Sequence, residues 1–191
     1  SRSIHEDIER VIAIRSAVGN RIDIRVDANG AYSFTEALQA IEGFRKADVD
    51  AMEEPLRGRD LAQLAQLRQH SPIFLLADES IRNSADLERC IALEAADGVV
   101  LKPMLLGGPI HSHRLAMRAI DAGLMCSVTT TFDGVLGRRS ALWVAAALPV
   151  AGRLSCGLMT GRFLDDGQPE AGPVRSGAMW LPDSTVKGMG L

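Results

Sequence analysis

The chain has 191 residues, of which 47% are hydrophobic and 24% are charged, a composition typical of soluble globular proteins. A net charge of −3 gives no electrostatic basis for binding nucleic acid or an anionic membrane. No apolar run is long enough to span a bilayer. The three cysteines match neither a disulfide framework nor a zinc motif, so we expect a cytoplasmic protein.

Helices and strands alternate along the chain. Two capping boxes, Ser3 with Glu6 and Ser33 with Glu36, predict the starts of the first two helices. After residue 157 the chain is rich in Gly and Pro, and only a hairpin over 173–181 is predicted there. The predicted elements are helix 3–18, strand 21–26, helix 33–46, strand 51–53, helix 59–69, strand 73–77, helix 84–94, strand 98–101, helix 109–122, strand 124–129, helix 134–148 and strand 153–155.

Regular alternation predicts an α/β fold with a parallel sheet, either open or closed as a (β/α)8 barrel. The short Gly107-Gly108 turn lacks the glycine spacing of a phosphate-binding loop, which disfavours the open type. We therefore predict the C-terminal part of a (β/α)8 barrel, with about six βα units over 1–156 and an irregular segment over 157–191. Six strands cannot close such a barrel, so we expect its first strands upstream. If those strands were absent, the open edges of the sheet would favour a homo-oligomer.

Three acidic groups and a lysine recur at the spacing of one βα unit. Asp27 lies in Val-Asp-Ala-Asn, Glu53 in Met-Glu-Glu-Pro, Asp78 in Ala-Asp-Glu-Ser and Lys102 in Leu-Lys-Pro. The successive steps are 26, 25 and 24 residues. Because a strand, a loop and a crossover helix need roughly that length, each group is predicted at the carboxyl end of a successive parallel strand.

Carboxylates that converge from three neighbouring strands repel one another unless a cation lies between them. We predict that Asp27, Glu53 and Asp78 bind Mg2+, with Mn2+ as an alternative. Zinc is disfavoured because no His or Cys accompanies these acids. Only three of the 21 Lys and Arg residues are lysine, and lysine, unlike arginine, can exchange its proton near neutral pH. Lys102 is therefore the candidate catalytic residue, acting on a small carboxylate substrate.

Neighbouring polar residues are predicted to support this site. Glu54 is an alternative metal ligand or an ion-pair partner, but we prefer Glu53 because adjacent strand residues point to opposite faces. We expect Glu79 to form an ion pair with Lys102 and Asn29 to order a metal-bound water. Simple solvation is the alternative for both Glu79 and Asn29.

The four motifs, in this order and spacing, resemble the muconate-lactonizing subgroup of the enolase superfamily. The resemblance implies that Asp27, Glu53 and Asp78 bind Mg2+ and that Lys102 is the lysine of the sixth barrel strand. It implies chemistry through an enediolate, formed when a carbon acid loses its α-proton. It also implies a Lys-x-Lys pair one βα unit before Asp27 and an N-terminal capping domain. Counting back from Asp27 reaches Ser1 or earlier, so we expect both outside this chain.

Further stretches resemble o-succinylbenzoate synthases within that subgroup. Those enzymes dehydrate a cyclohexadiene carboxylate to an aromatic acid in menaquinone biosynthesis. The implied activity is therefore a Mg2+-dependent carbon-oxygen lyase. The stretches are Leu101–Gly108, Val128–Asp133, Gly157–Gly161, Phe163–Asp166 and Leu181–Asp183.

The candidate substrate contacts are Thr129, Thr130, Asp133 and Gly157. Both threonine hydroxyls and the backbone near Gly157 are suited to hydrogen-bond a succinyl carboxylate. The alternative is that the threonines are strand formers with no such role. As an ammonium, Lys102 would lie over the ring of the intermediate.

Four alternatives stay open to different degrees. A dipeptide epimerase is disfavoured, because Ser155-Cys156-Gly157 replaces the Asp-x-Asp expected after the eighth strand. A muconate cycloisomerase-like enzyme is harder to exclude. N-succinylamino acid racemase activity shares the same scaffold and is compatible with synthase activity in one protein. A catalytically incomplete barrel fragment is the alternative of another class, although the retained acids and Lys102 favour descent from a working enzyme.

Overall fold

The structure is a computed structural model that describes residues 3–165, 167 and 169–182. Its longer helices are α1 (Ile4–Val18), α2 (Phe34–Lys46), α3 (Leu61–Arg68), α4 (Ser84–Ala92), α5 (Pro109–Asp121) and α6 (Val135–Ala147). Its strands are β1 (Arg25–Asp27), β2 (Ala51–Glu53), β3 (Phe74–Ala77), β4 (Gly98–Leu101), β5 (Met125–Val128), β6 (Val174–Arg175) and β7 (Ala178–Met179). Short 3-10 helices cover Val150–Gly152 and Gly161–Phe163.

The first five strands form one sheet in sequence order, β1-β2-β3-β4-β5. The pairs from β1 to β4 are parallel, each pair of strands being joined through a helix, as in βα units. The register places Met52 opposite Val26 on one side and opposite Leu75 on the other. Ala77 lies opposite Val99. The predicted α/β class and parallel sheet are confirmed.

The chain divides into two compact units, Ser1–Val99 and Val100–Leu191. The boundary falls inside β4. The predicted start of the irregular segment, at residue 157, lies within the second unit.

Both predicted capping boxes are present in the first unit. The Ser3 hydroxyl accepts the Glu6 N–H while the Glu6 carboxylate accepts the Ser3 N–H, and Ser33 and Glu36 repeat the arrangement. Each pair satisfies two backbone donors that a helix start leaves open.

The inner strands are buried on both faces, as is usual for parallel sheets covered by helices. Met52, Leu75, Leu76 and Val99 have no exposed surface. This explains why β3 and β4 read as continuous apolar runs rather than as alternating strands. Among the described residues, no helix is long and apolar enough to cross a membrane.

The predicted strand over 153–155 is wrong as a regular strand. The segment follows β5 in parallel, but only through isolated bridges, from Cys126 to Arg153 and from Thr129 to Gly157. Cys126 and Thr129 are three residues apart, whereas their partners Arg153 and Gly157 are four residues apart. One extra residue in the second segment therefore interrupts the ladder. The Val128 N–H consequently donates to the Cys156 sulfur at 3.4 Å.

The predicted hairpin over 173–181 is confirmed, since β6 and β7 pair antiparallel.

Arg138 on α6 is fully buried and binds the backbone of two segments, one before α6 and one after it. Its guanidinium donates to the carbonyl oxygens of Asp133 and Pro169, each at 2.8 Å. Asp166 and Asp183, which belong to the stretches that resemble o-succinylbenzoate synthases, lie outside the described residues.

Glu54, directly after β2, joins that strand end to the loop after β3. The residue is only 2% exposed. It accepts the N–H groups of Asp78 and Ser80 at 2.8 and 3.1 Å and the Ser80 hydroxyl at 2.5 Å. These three hydrogen bonds fix the backbone that carries Asp78.

Replacing Glu54 with methionine is expected to lower the free energy of unfolding by about 1–3 kcal/mol or more, because three buried donors lose their acceptor. Glu42→Met is the matched control. Glu42 is exposed on α2 and pairs with Arg45, and its loss is expected to leave the free energy of unfolding nearly unchanged, because exposed ion pairs contribute little. Urea denaturation of both variants provides the comparison, and equal costs would contradict the role of Glu54.

Candidate metal centre

Three carboxylates of the first unit lie at the carboxyl ends of consecutive strands. Asp27 is the last residue of β1, Glu53 is the last residue of β2, and the two are register partners. Asp78 directly follows β3. The predicted placement at strand ends is confirmed for all three.

One ligand atom from each of Asp27, Glu53 and Asp78 lies within 4.8 Å of the other two. Glu53 and Asp78 are buried, with 8% and 4% exposure, whereas Asp27 is exposed. Oxygens bound to one Mg2+ lie at most about 4.2 Å apart, so the group needs only a small contraction to hold the ion. Within the described ranges, this is the group of three or more acidic, His or Cys side chains close enough to hold a metal.

The donor set fits a hard cation. It consists of carboxylate oxygens alone, which suit Mg2+ and Mn2+ better than zinc. Three negative charges this close also favour a divalent ion electrostatically. This geometry is compatible with metal binding, and the metal-binding role of these residues stays a prediction.

Arg25 contacts this group, although no sequence motif pointed to it. Its Nε lies 2.6 Å from Oε1 of Glu53. Arg25 and Asp27 are two residues apart on β1 and so share a face of the strand. That spacing, together with the neighbouring strand ending in Glu53, was the available sequence signal.

Asn29 and its neighbours hold the loop after β1 against β2. The Asn29 N–H donates to Oδ1 of Asp27 at 2.9 Å, and the residue has a positive φ of 48°, which Asn adopts more readily than most residues. The Gly30 N–H donates to the Glu54 carbonyl at 2.7 Å. The loop therefore orients the Asp27 carboxylate. The predicted water-ordering role of Asn29 stays a prediction.

The two remaining acids differ in their surroundings. Glu54 has both oxygens engaged by the loop that carries Asp78, so it acts on the site through that loop's conformation. Glu79 is partly buried. Its pairing with Lys102 stays a prediction.

In the second unit, Lys102 directly follows β4 and is half-buried. Its carbonyl accepts the N–H groups of Leu105 and Leu106 at 2.9 and 3.0 Å. The Gly108 N–H donates to the Pro103 carbonyl at 2.8 Å. The lysine thus stands on a hydrogen-bonded turn rather than on an extended loop, which limits the positions that its backbone can take.

The threonines after β5 hydrogen-bond within the protein. The hydroxyls of Thr129 and Thr130 donate to the Gly157 carbonyl at 2.9 and 3.1 Å. A Cβ at position 157 would lie 2.6 Å from the Thr129 hydroxyl, so glycine permits this close approach. The Thr130 hydroxyl also contacts that of Thr160 at 2.8 Å. These bonds hold the segment beside β5, and contact with a substrate stays a prediction.

Asp133 is buried, and its carboxylate turns back onto its own loop. It accepts the Thr131 N–H at 3.3 Å and also binds the Thr131 hydroxyl. This arrangement orders the start of α6. Its predicted substrate contact stays a prediction.

Cys126 lies in the interior of β5 and is fully buried. Burial raises the pKa of its thiol to about 12. The sulfur lies 3.6 Å from the Ala116 carbonyl. This burial favours a packing role for Cys126 over that of a nucleophile.

Comparison with protein families matches residues 1–191 to the family described as Enolase C-terminal domain-like. The chain is similar to the o-succinylbenzoate synthase of Thermobifida fusca, with 37% identity over 158 residues, which cover 83% of this chain and 48% of that protein. It is also similar to the N-succinyl-L-Arg/Lys racemase of Bacillus cereus, with 33% identity over 144 residues, covering 75% of this chain and 39% of the racemase.

Among solved structures, the chain resembles the dipeptide epimerase from Cytophaga hutchinsonii, complexed with Mg and the dipeptide D-Ala-L-Val. The TM-score is 0.79 and the identity 29%, over 86% of this chain and 44% of the epimerase. The chain thus spans about half the length, or less, of these relatives. The structural likeness confirms the predicted fold, the C-terminal part of an enolase-type barrel. With the family match extending over all 191 residues, the chain belongs to the enolase C-terminal domain-like family.

Proposed function

We propose that this chain is part of a Mg2+-dependent o-succinylbenzoate synthase. The observation that carries the proposal is the gathering of Asp27, Glu53 and Asp78 at consecutive strand ends, in a chain 37% identical to an o-succinylbenzoate synthase. The relatives found in the comparisons are named as synthases, racemases and other enzymes, which supports enzymatic activity of the whole protein.

The donor set fits Mg2+, and Asp27, Glu53 and Asp78 would hold it. A bound Mg2+ would supply electrostatic stabilisation of a substrate carboxylate whose negative charge grows as the α-proton leaves. The Glu54 carboxylate contributes by fixing the backbone at Asp78, so that this ligand is in place before the ion binds. Preorganised ligands lower the cost of assembling the site.

Lys102 is the proposed catalytic residue. Dehydration removes a proton from the carbon beside the carboxylate and hydroxide from the next carbon, leaving an aromatic acid and one water. A lysine amine can accept such a proton, and an ammonium can stabilise negative charge spread over a ring. The resemblance implies a second acid/base on a Lys-x-Lys strand that precedes Asp27. No lysine precedes Lys46 in this chain, so the chain does not contain that pair.

A racemase is the second candidate, favoured by the 33% identity to an N-succinyl-L-Arg/Lys racemase. Racemisation also begins with the loss of a proton beside a carboxylate. The same ligands and the same lysine would therefore serve both reactions. The two reactions differ in their second step, which is departure of hydroxide in the synthase and return of the proton to the opposite face in the racemase.

Replacing Lys102 with alanine is expected to lower kcat for the physiological reaction by about 10²–10⁴-fold, because a proton-transfer group is lost. Lys46→Ala is the matched control, since Lys46 is an exposed lysine on α2 paired with Glu42. That variant is expected to retain activity within about twofold. Full activity of the Lys102→Ala variant would contradict the assignment.

The reaction itself is tested with the purified protein as the cell makes it, incubated separately with the cyclohexadiene carboxylate and with N-succinylamino acids. We expect o-succinylbenzoate to form faster than N-succinylamino acids are racemised. EDTA should abolish its formation and Mg2+ should restore it. Racemisation without dehydration would transfer the function to the second candidate. Metal binding without turnover of either substrate would identify the catalytically incomplete fragment.

A further inference from the structure

We infer that Arg25 makes Glu53 a one-oxygen metal ligand and thereby favours Mg2+ over Ca2+. The inference rests on the proposed metal site and adds a determinant of which ion that site accepts. Arg25 acts through Glu53, so it is a positioning residue rather than a catalytic one.

The geometry places the guanidinium on one oxygen of the ligand. β1 and β2 pair in parallel, with Asp27 opposite Glu53, and Arg25 lies two residues back on the same face as Asp27. Its long side chain runs toward the end of the sheet and brings Nε within 2.6 Å of Oε1 of Glu53. A charge-assisted bond this short, to a side chain that is only 11% exposed, restricts rotation of the carboxylate.

The charges are consistent with this arrangement. Three carboxylates contribute three negative charges, a divalent ion two positive charges and the guanidinium one. The three ligands, the ion and the guanidinium together would then carry no net charge. Arginine keeps its charge at all physiological pH values, so the contribution of Arg25 is permanent.

The two divalent ions differ in their need for oxygen. Mg2+ takes six ligands at about 2.0–2.1 Å and accepts single oxygens from carboxylates, filling its other positions with water. Ca2+ takes six to eight ligands at about 2.3–2.6 Å and often uses both oxygens of a carboxylate. If Arg25 holds Oε1 of Glu53, Ca2+ cannot bind both oxygens of this carboxylate. Mg2+ is less affected, because one oxygen of the carboxylate is enough for it.

Three variants test the inference through metal binding alone. The affinities for Mg2+ and Ca2+ are measured by displacement of Mn2+, followed by electron paramagnetic resonance. Arg25→Met is expected to shift the ratio of Ca2+ to Mg2+ affinity toward Ca2+ by about tenfold or more, because Oε1 of Glu53 is released. Arg45→Met removes the same charge from the α2 surface, where Arg45 pairs with Glu42, and is expected to leave the ratio unchanged.

Arg25→Lys serves where Arg25→Met proves unstable. Lysine keeps the charge but lacks the planar donor geometry, so a smaller shift in the same direction is expected. An unchanged ratio in a stable Arg25 variant that still binds Mg2+ would overturn the role of Arg25 and leave the proposed function standing. Failure of the unsubstituted protein to bind Mn2+ or Mg2+ would overturn both.

Discussion

Mutual repulsion among three carboxylates is the constraint on which the site depends. Asp27, Glu53 and Asp78 lie within 4.8 Å of one another, and two of them are buried. A protein keeps such a group ionised only with compensating charge and fixed backbone. The described residues supply both: Arg25 places a cation 2.6 Å from Glu53, and Glu54 binds the backbone that carries Asp78.

Much of this arrangement could be predicted from spacing. The steps of 26, 25 and 24 residues correspond to βα units, and a parallel sheet brings successive strand ends to one edge. The irregular segment beside β5 could not be predicted, because a one-residue bulge is decided by local hydrogen bonds such as that from Val128 to Cys156. Arg25 was missed for a similar reason, since its partner is on another strand and only the register brings them together.

The family of this chain is shown directly, whereas its reaction is a proposal. The family match covers all 191 residues, whereas the named relatives differ in reaction and extend well beyond the matched half. Metal ligands and a lysine serve any reaction that begins with proton loss beside a carboxylate. In this chain the hydroxyls of Thr129 and Thr130 bind the Gly157 carbonyl, which shows how a polar residue at a strand end can serve the fold.

A Mn2+ titration of the purified chain, followed by electron paramagnetic resonance, tests the central claim most directly. We predict one bound Mn2+ per chain, displaced by Mg2+. Asp27→Asn, Glu53→Gln and Asp78→Asn should each weaken binding by about tenfold or more. Unchanged affinity in all three variants, or no binding by the unsubstituted chain, would contradict the assignment of these carboxylates as a metal centre.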